Sequence, residues 1–125
     1  MKSIIIVDDF EDITLMIKHV LELADITNVY TTSDPAEAIS YTIKNGRPLL
    51  IVTGYDMQQT TGSQLLLNIN NLYPGTPGII MTSDPQRANA DDDTKGIPVI
   101  YKNESGFLNK IVELAQEQIL LYGCK

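Results

Sequence analysis

The chain is short of positive charge, of cysteine and of long apolar runs, and each shortage removes a class of function. Nine Lys and Arg residues stand against sixteen Asp and Glu, a formal net charge of −7 over 125 residues. Such a surface repels phosphate backbones and anionic lipid headgroups, so direct binding to nucleic acid or to a membrane is not expected. The one cysteine, Cys124, lies beside the C-terminal Lys125 and has no second cysteine to pair with. It reads as an inert tail thiol in a protein of a reducing compartment. The opening MKSIIIVDDF holds only four consecutive apolar residues before two aspartates, too few for a signal peptide or a membrane span. A cytoplasmic protein is the expectation. The one histidine, His19, falls on the flank of a helical pattern, away from its apolar stripe, and is expected to be exposed with no phosphohistidine role.

What is present suits one soluble globular domain. The chain is 43% hydrophobic and 20% charged, and its length suffices for a core without metal or disulfides. Neither a repeat nor a linker interrupts residues 1–125, which read as a single domain. Short apolar or β-branched bursts at residues 3–7, 27–31, 49–53, 78–82 and 97–101 predict strands. Between them lie helical stripes: Ile13, Met16, Ile17, Val20, Leu21 and Ala24; then Ala36, Ile39 and Ile43; then Leu65, Leu66, Ile69 and Leu72; and finally Phe107, Ile111, Leu114 and Ala115. Asp34-Pro35-Ala36-Glu37 and Thr61-Gly62-Ser63-Gln64 have capping-box spacing at the starts of the second and third helices, and Asn45-Gly46 stops the second. Strands alternating with helices at this pace predict an α/β fold, a doubly wound parallel sheet with helices on both faces.

One segment departs from the alternation. Between the fourth and fifth strands, SDPQRANADDDTKG offers only Ala88 and Ala90 for burial, which predicts a short or frayed fourth helix or an ordered loop. Its Asp91-Asp92-Asp93 run is expected to be a solvated acidic loop. Successive carboxylates repel, and no glycine or glutamate completes a calcium loop.

Ligands of open α/β sheets bind beyond the carboxyl ends of the strands. Four features fall there: Asp8-Asp9 after the first strand, Gly54 after the third, Thr82-Ser83 after the fourth and Lys102 after the fifth. With the motifs IIIVDDF, IIMTS and IPVIYK, and with Met57 between Gly54 and Gly62, this set resembles the receiver domain of two-component response regulators, the chemotaxis-regulator-like family. The resemblance covers essentially the whole chain. It implies a flavodoxin-like, five-stranded sheet of order 2-1-3-4-5. It further implies a Mg²⁺ held by Asp8, Asp9 and the backbone carbonyl of Asp56, and phosphoryl oxygens contacted by Thr82 and Lys102. Histidine kinases, output domains or other signalling proteins are the implied partners.

The same resemblance puts the attacking aspartate at Gly54, which has neither a nucleophile nor a metal ligand. The reading is therefore a degenerate receiver that is not an enzyme, acts through protein contacts, and binds Mg²⁺ weakly or not at all. Asn103 after Lys102, Gln58 after Met57 and Val99 at the family's aromatic switch position are further departures. Deprived of its usual partner, Lys102 is expected to pair with Asp8 or Asp9, directly or through water. Leu108, Val112 and Ile119 widen the apolar surface of the last helix, through which receivers often dimerise or dock partners. Two alternatives stay open. One is a functioning phosphorelay receiver that uses Asp56 or in which Gly54 is an introduced substitution; the other is a Mg²⁺-dependent phosphohydrolase built on Asp8-Asp9.

Overall fold

A computed structural model describes residues 2–123 of the chain; Cys124 and its expected inertness lie outside the described residues. The strands are β1 (Ile4–Val7), β2 (Val29–Thr32), β3 (Leu50–Gly54), β4 (Gly78–Thr82) and β5 (Val99–Tyr101), all parallel, in the order β2-β1-β3-β4-β5. The helices are α1 (Glu11–Leu23), α2 (Pro35–Asn45), α3 (Gly62–Leu72), α4 (Pro85–Ala90) and α5 (Phe107–Gln118). A 3₁₀ turn at Asp92–Thr94 follows α4, and a π-helical turn at Ile119–Gly123 follows α5. This is the expected doubly wound sheet, and the fourth helix is the expected short one. No helix among the described residues is long and apolar enough to cross a membrane.

The central strands are apolar throughout because both of their faces are covered. Side chains alternate across a strand, so Ile4 and Ile6 of β1 join Ile17 and Leu21 of α1 and Ile111 of α5 on one face. Ile5 and Val7 join Ala38 of α2 and Leu65 and Ile69 of α3 on the other. Each such side chain contributes about 1.5–3 kcal/mol by leaving water.

Several finer expectations are corrected. The fully buried residues of α2 are Pro35, Ala38 and Thr42; of the expected stripe, Ile39 packs partly buried against the core, while Ala36 is exposed and Ile43 is 62% exposed. Tyr41 of the same helix stacks on Tyr30 of β2 with ring centroids 4.0 Å apart, so an aromatic pair rather than Ile43 covers that flank of the sheet. Met16 and Leu72 are likewise exposed, because α1 and α3 bury stripes only three to five residues wide, centred on Ile17 and Leu21 and on Leu65, Leu66 and Ile69. Both caps form, with Asp34 accepting from the Ala36 amide and Thr61 from the Gln64 amide. Neither capping box closes. The Asp34 amide donates to the Thr32 hydroxyl instead, and that hydroxyl donates to Glu37. Gln64 turns along its helix to Asn68.

Candidate functional site

Parallel pairing in register brings Val7 level with Thr53 and Thr53 with Ile80, so the residues that follow β1, β3, β4 and β5 converge at one edge. Asp8 is the deepest of them, 1% exposed. Its Oδ1 accepts from the Phe10 amide at 3.0 Å, and its Oδ2 lies 2.7 Å from Nζ of Lys102, whose side chain is 17% exposed. The expected Lys102 to Asp8 pair is therefore direct. No hydrogen bond of good geometry reaches that Oδ2, so the ammonium acts on it chiefly as a charge.

The position of that oxygen is set by Gly54. A β-carbon built on Gly54 would stand 2.6 Å from Asp8 Oδ2 and 3.1 Å from its Cγ. The carboxylate of Asp8 thus lies where the side chain of any other residue 54 would begin. Gly62 fixes the loop in the same way: a β-carbon there would come within 2.3 Å of the Gly54 carbonyl oxygen, and the Gly62 amide donates to the Tyr55 carbonyl at 2.7 Å. Only glycine permits so close a backbone approach.

The remaining expected residues are engaged separately. Asp9 accepts from the Gln58 amide through Oδ2 at 2.9 Å, which ties the end of β1 to the loop after β3. The Asp56 carboxylate pairs with Arg87 on α4, both side chains being more than half exposed. Thr82 is buried, and its hydroxyl accepts from the Asp84 amide at 2.9 Å, while its carbonyl accepts from the Lys102 amide at 2.8 Å. All peptide bonds among the described residues are trans, that between Lys102 and Asn103 included. Val99 is half-buried against the core on the α2 and α3 side, and His19 is exposed.

These positions do not fit the Mg²⁺ that the resemblance implies. A hard cation asks for free carboxylate oxygens, whereas the ammonium of Lys102 and the Gln58 amide already engage Asp8 and Asp9, the two carboxylates of the implied set. Among the described residues no group of three or more His, Cys, Asp or Glu side chains converges as a metal cage.

Three features escaped sequence reasoning. Phe10, just before α1, is 66% exposed, and its ring centroid lies 5.6 Å from Nζ of Lys102. It borders a cleft of about 600 Å³ that also includes Asp9, Ile13, Ser83 and Asn103. Arg87 sits over the Tyr55 ring, 5.6 Å from its centroid, as well as beside Asp56. Asp91, expected in a solvated run, instead accepts from the Tyr55 phenol at 2.8 Å and the Ser63 hydroxyl at 2.7 Å, both through Oδ2. Its Oδ1 accepts from the Asp93 amide. The Ser63 hydroxyl and the Asp93 amide, with the phenol, hold the Asp91 carboxyl below its ordinary range. Burial, reinforced by Asp91, raises the phenol of Tyr55. Asp92 and Asp93 do face solvent. A spacing rule could not find Asp91, because its partners lie 36 and 28 residues away.

A right-handed parallel sheet with an acidic residue, a lysine and a buried threonine at one carboxyl edge defines a receiver-type signalling module. The description of the response regulator receiver domain matches residues 4–116, and the chain belongs to that family. No curated protein matches it. Among solved structures it is similar to the two component transcriptional regulator AraC from Clostridium phytofermentans ISDg, at 19% identity over 99% of this chain and 98% of that one, TM-score 0.79. A response regulator receiver domain protein from Clostridium thermocellum shows 21% identity over 99% and 98% of the two chains, TM-score 0.80. The chemotaxis response regulator CheY4 of Vibrio cholerae shows 22% identity over 92% and 98%, TM-score 0.75.

Proposed function

We propose that this receiver serves two-component signalling without an aspartyl phosphate, through protein contacts made by a pocket that is already charge-neutralised. The observation that carries the reading is the Asp8 carboxylate, 2.6 Å from where the β-carbon of a residue 54 would be and 2.7 Å from Lys102 Nζ. The space of an attacking group at position 54 is filled by a buried anion whose countercharge is supplied. Thr82 and Lys102 keep the positions of phosphoryl contacts but are turned to Asp84 and Asp8. In this reading Mg²⁺ binds weakly or not at all, and no chemical step is catalysed.

The alternative acceptor, Asp56, is disfavoured by its exposed pairing with Arg87, since in-line attack tolerates little misplacement. A phosphohydrolase built on Asp8-Asp9 is disfavoured by the burial of Asp8 and its ion pair. The partners are signalling proteins of the two-component kind, a histidine kinase or an output domain. For self-association through the last helix, Leu108, Val112 and Ile119 lie partly buried against the core, whereas Leu120 and Leu121 in the turn that follows are exposed. The test is incubation with acetyl phosphate and Mg²⁺ followed by intact mass measurement. An unchanged mass is expected; a gain of one phosphoryl group, mapped to Asp56, would establish the alternative.

A further inference from the structure

At the edge of the sheet opposite the candidate site, a second cavity of about 260 Å³ opens beneath the end of α5. Leu50 of β3 and Ile79 of β4 form its floor and are buried. Leu114 and Gln118, one helical turn apart on α5, form its roof. Pro77 and Pro98, just before β4 and β5, stand at its sides. The opening follows from the sheet. Side chains alternate along a strand, so Pro98 belongs to the row of Ile100, which packs in the core on the α1 and α5 side. A compact proline ring reaches less far toward α5 than an isoleucine does, and the volume between them is left open.

The lining is uncharged and mostly aliphatic, with no Asp, Glu, Lys, Arg or His among the described residues that border it. One group breaks the pattern: Oε1 of Gln118 is buried and has no hydrogen-bond partner among the described residues. Other polar groups of the wall are engaged inside the fold. The Pro77 carbonyl accepts from the Ile51 amide at 3.0 Å, the Pro98 carbonyl accepts from the Ile80 amide at 2.9 Å, and the Thr76 hydroxyl donates to the Tyr73 carbonyl at 2.6 Å. A buried acceptor without a donor is costly and rare in a native fold. Beside a cavity, a donor has room to reach it.

We propose that this cavity binds a small neutral molecule with an apolar body and one hydroxyl group, a phenol or an alcohol of similar bulk. Its hydroxyl donates to Oε1 of Gln118 while its body covers Leu50, Ile79 and Leu114. The volume sets the size: an apolar cavity of about 150 Å³ accepts benzene, so the larger space here accommodates one ring with a substituent. The uncharged lining excludes ions, because a charge brought here would lose its hydration with no counterion to meet. The single acceptor asks for a single donor, and a hydroxyl satisfies the amide in either flipped orientation, since it both donates and accepts. One placed polar group in an apolar pocket is a usual means of fixing a ligand's orientation. The site uses neither residue 54 nor a phosphoryl group, so it stands independently of the reading of the candidate site.

The test is a methyl NMR titration of the intact chain with para-cresol and, separately, with toluene, which has the same body without the hydroxyl. Para-cresol is expected to shift the methyl resonances of Leu50, Ile79 and Leu114 saturably and to leave those of Val7 and Leu65 unmoved. Gln118→Met keeps the length and helix propensity of the side chain while removing the acceptor. The ratio of para-cresol affinity to toluene affinity is expected to be roughly two- to tenfold higher in the wild type than in this variant. Shifts that stay linear up to the solubility limit would overturn the proposal, as would unmoved methyls around a cavity that takes water alone. An equal ratio in the two proteins would also overturn it, since Gln118 would then not read the hydroxyl.

Discussion

Replacing Gly54 by alanine tests the central geometry more sharply than adding an aspartate, because it supplies only the atom that the structure says has no room. The new β-carbon would meet Asp8 Oδ2 at 2.6 Å, where ordinary contact begins at 3.4 Å, so the carboxylate must retreat by 3.4 − 2.6 = 0.8 Å. Retreat is resisted on both oxygens, by the Phe10 amide and by Lys102. Overpacking of this kind costs about 1–3 kcal/mol. The backbone of Gly54 is not in the left-handed region, so alanine returns about 0.4–1 kcal/mol by restricting the unfolded chain. The net expectation is a loss of between about 0 and 2.6 kcal/mol, which lowers a urea midpoint by up to roughly 1 M at an m-value of about 2 kcal/mol/M, so the comparison of two backgrounds is the sharper readout.

The control is the same substitution in an Asp8→Ala background. All three of the nearest atoms to the built β-carbon belong to Asp8, so without that side chain Gly54→Ala should be neutral or slightly stabilising. The two backgrounds should then differ by the whole overpacking cost of about 1–3 kcal/mol, a coupling above the scatter of independent sites. A Gly54→Ala substitution with the same effect in both backgrounds would show that Asp8 does not depend on residue 54 for its position.

Two further outcomes follow from the same contacts. Lys102→Met should leave the Asp8 carboxylate buried with no countercharge, at a cost of about 3–5 kcal/mol, lowering the thermal midpoint by at least about 10 °C; Asp8→Asn added to it should restore most of the loss. The Asp91 carboxyl is held below its unfolded value, so its contribution is present above the unfolded pKa and is lost as pH falls through the folded one. The groups facing it are the Tyr55 phenol, with Arg87 over its ring, and the neighbouring Asp93. Exchange in 84–97 should therefore be flat with pH, after correction for intrinsic rates, through the neutral range and rise only under acid conditions, and Asp91→Ala should abolish that rise.

The architecture was legible because apolar bursts and helical stripes alternate from Ile4 to Ala115 with one exception, and that weak segment announced itself by having little to bury. The stripe of α2 was misread for a specific reason. Hydropathy favours Ile39 and Ile43, but Pro35, Ala38 and Thr42 take the fully buried positions, Ile39 packs beside them and Ile43 stands in solvent. Pattern reasoning ranks residues by apolarity, whereas packing ranks them by volume and distance. The charged residues of the site divide along the same line. Lys102 could be paired in advance with Asp8 or Asp9, because the resemblance places all three at one edge and leaves the lysine without a partner at position 54; the structure selects Asp8. Arg87 and Asp91 could not be placed, since each answers to residues about thirty positions away through side-chain directions that no spacing encodes.

Glycine at position 54 does more than leave out a side chain, because the volume where a side chain would begin is occupied by Asp8. If Gly54 were merely an empty acceptor position, Asp8 would remain free at the mouth of the pocket for a cation, and Lys102 would lack a countercharge. Instead the Asp8 carboxylate stands in the gap, buried, with Lys102 against it and the Phe10 ring alongside. Glycine here is what permits the ion pair, just as Gly62 permits the loop beneath it. Restoring an aspartate at position 54 would therefore have to expel Asp8 before any phosphoryl chemistry could begin, so the Gly54→Ala penalty measures the smallest part of that barrier.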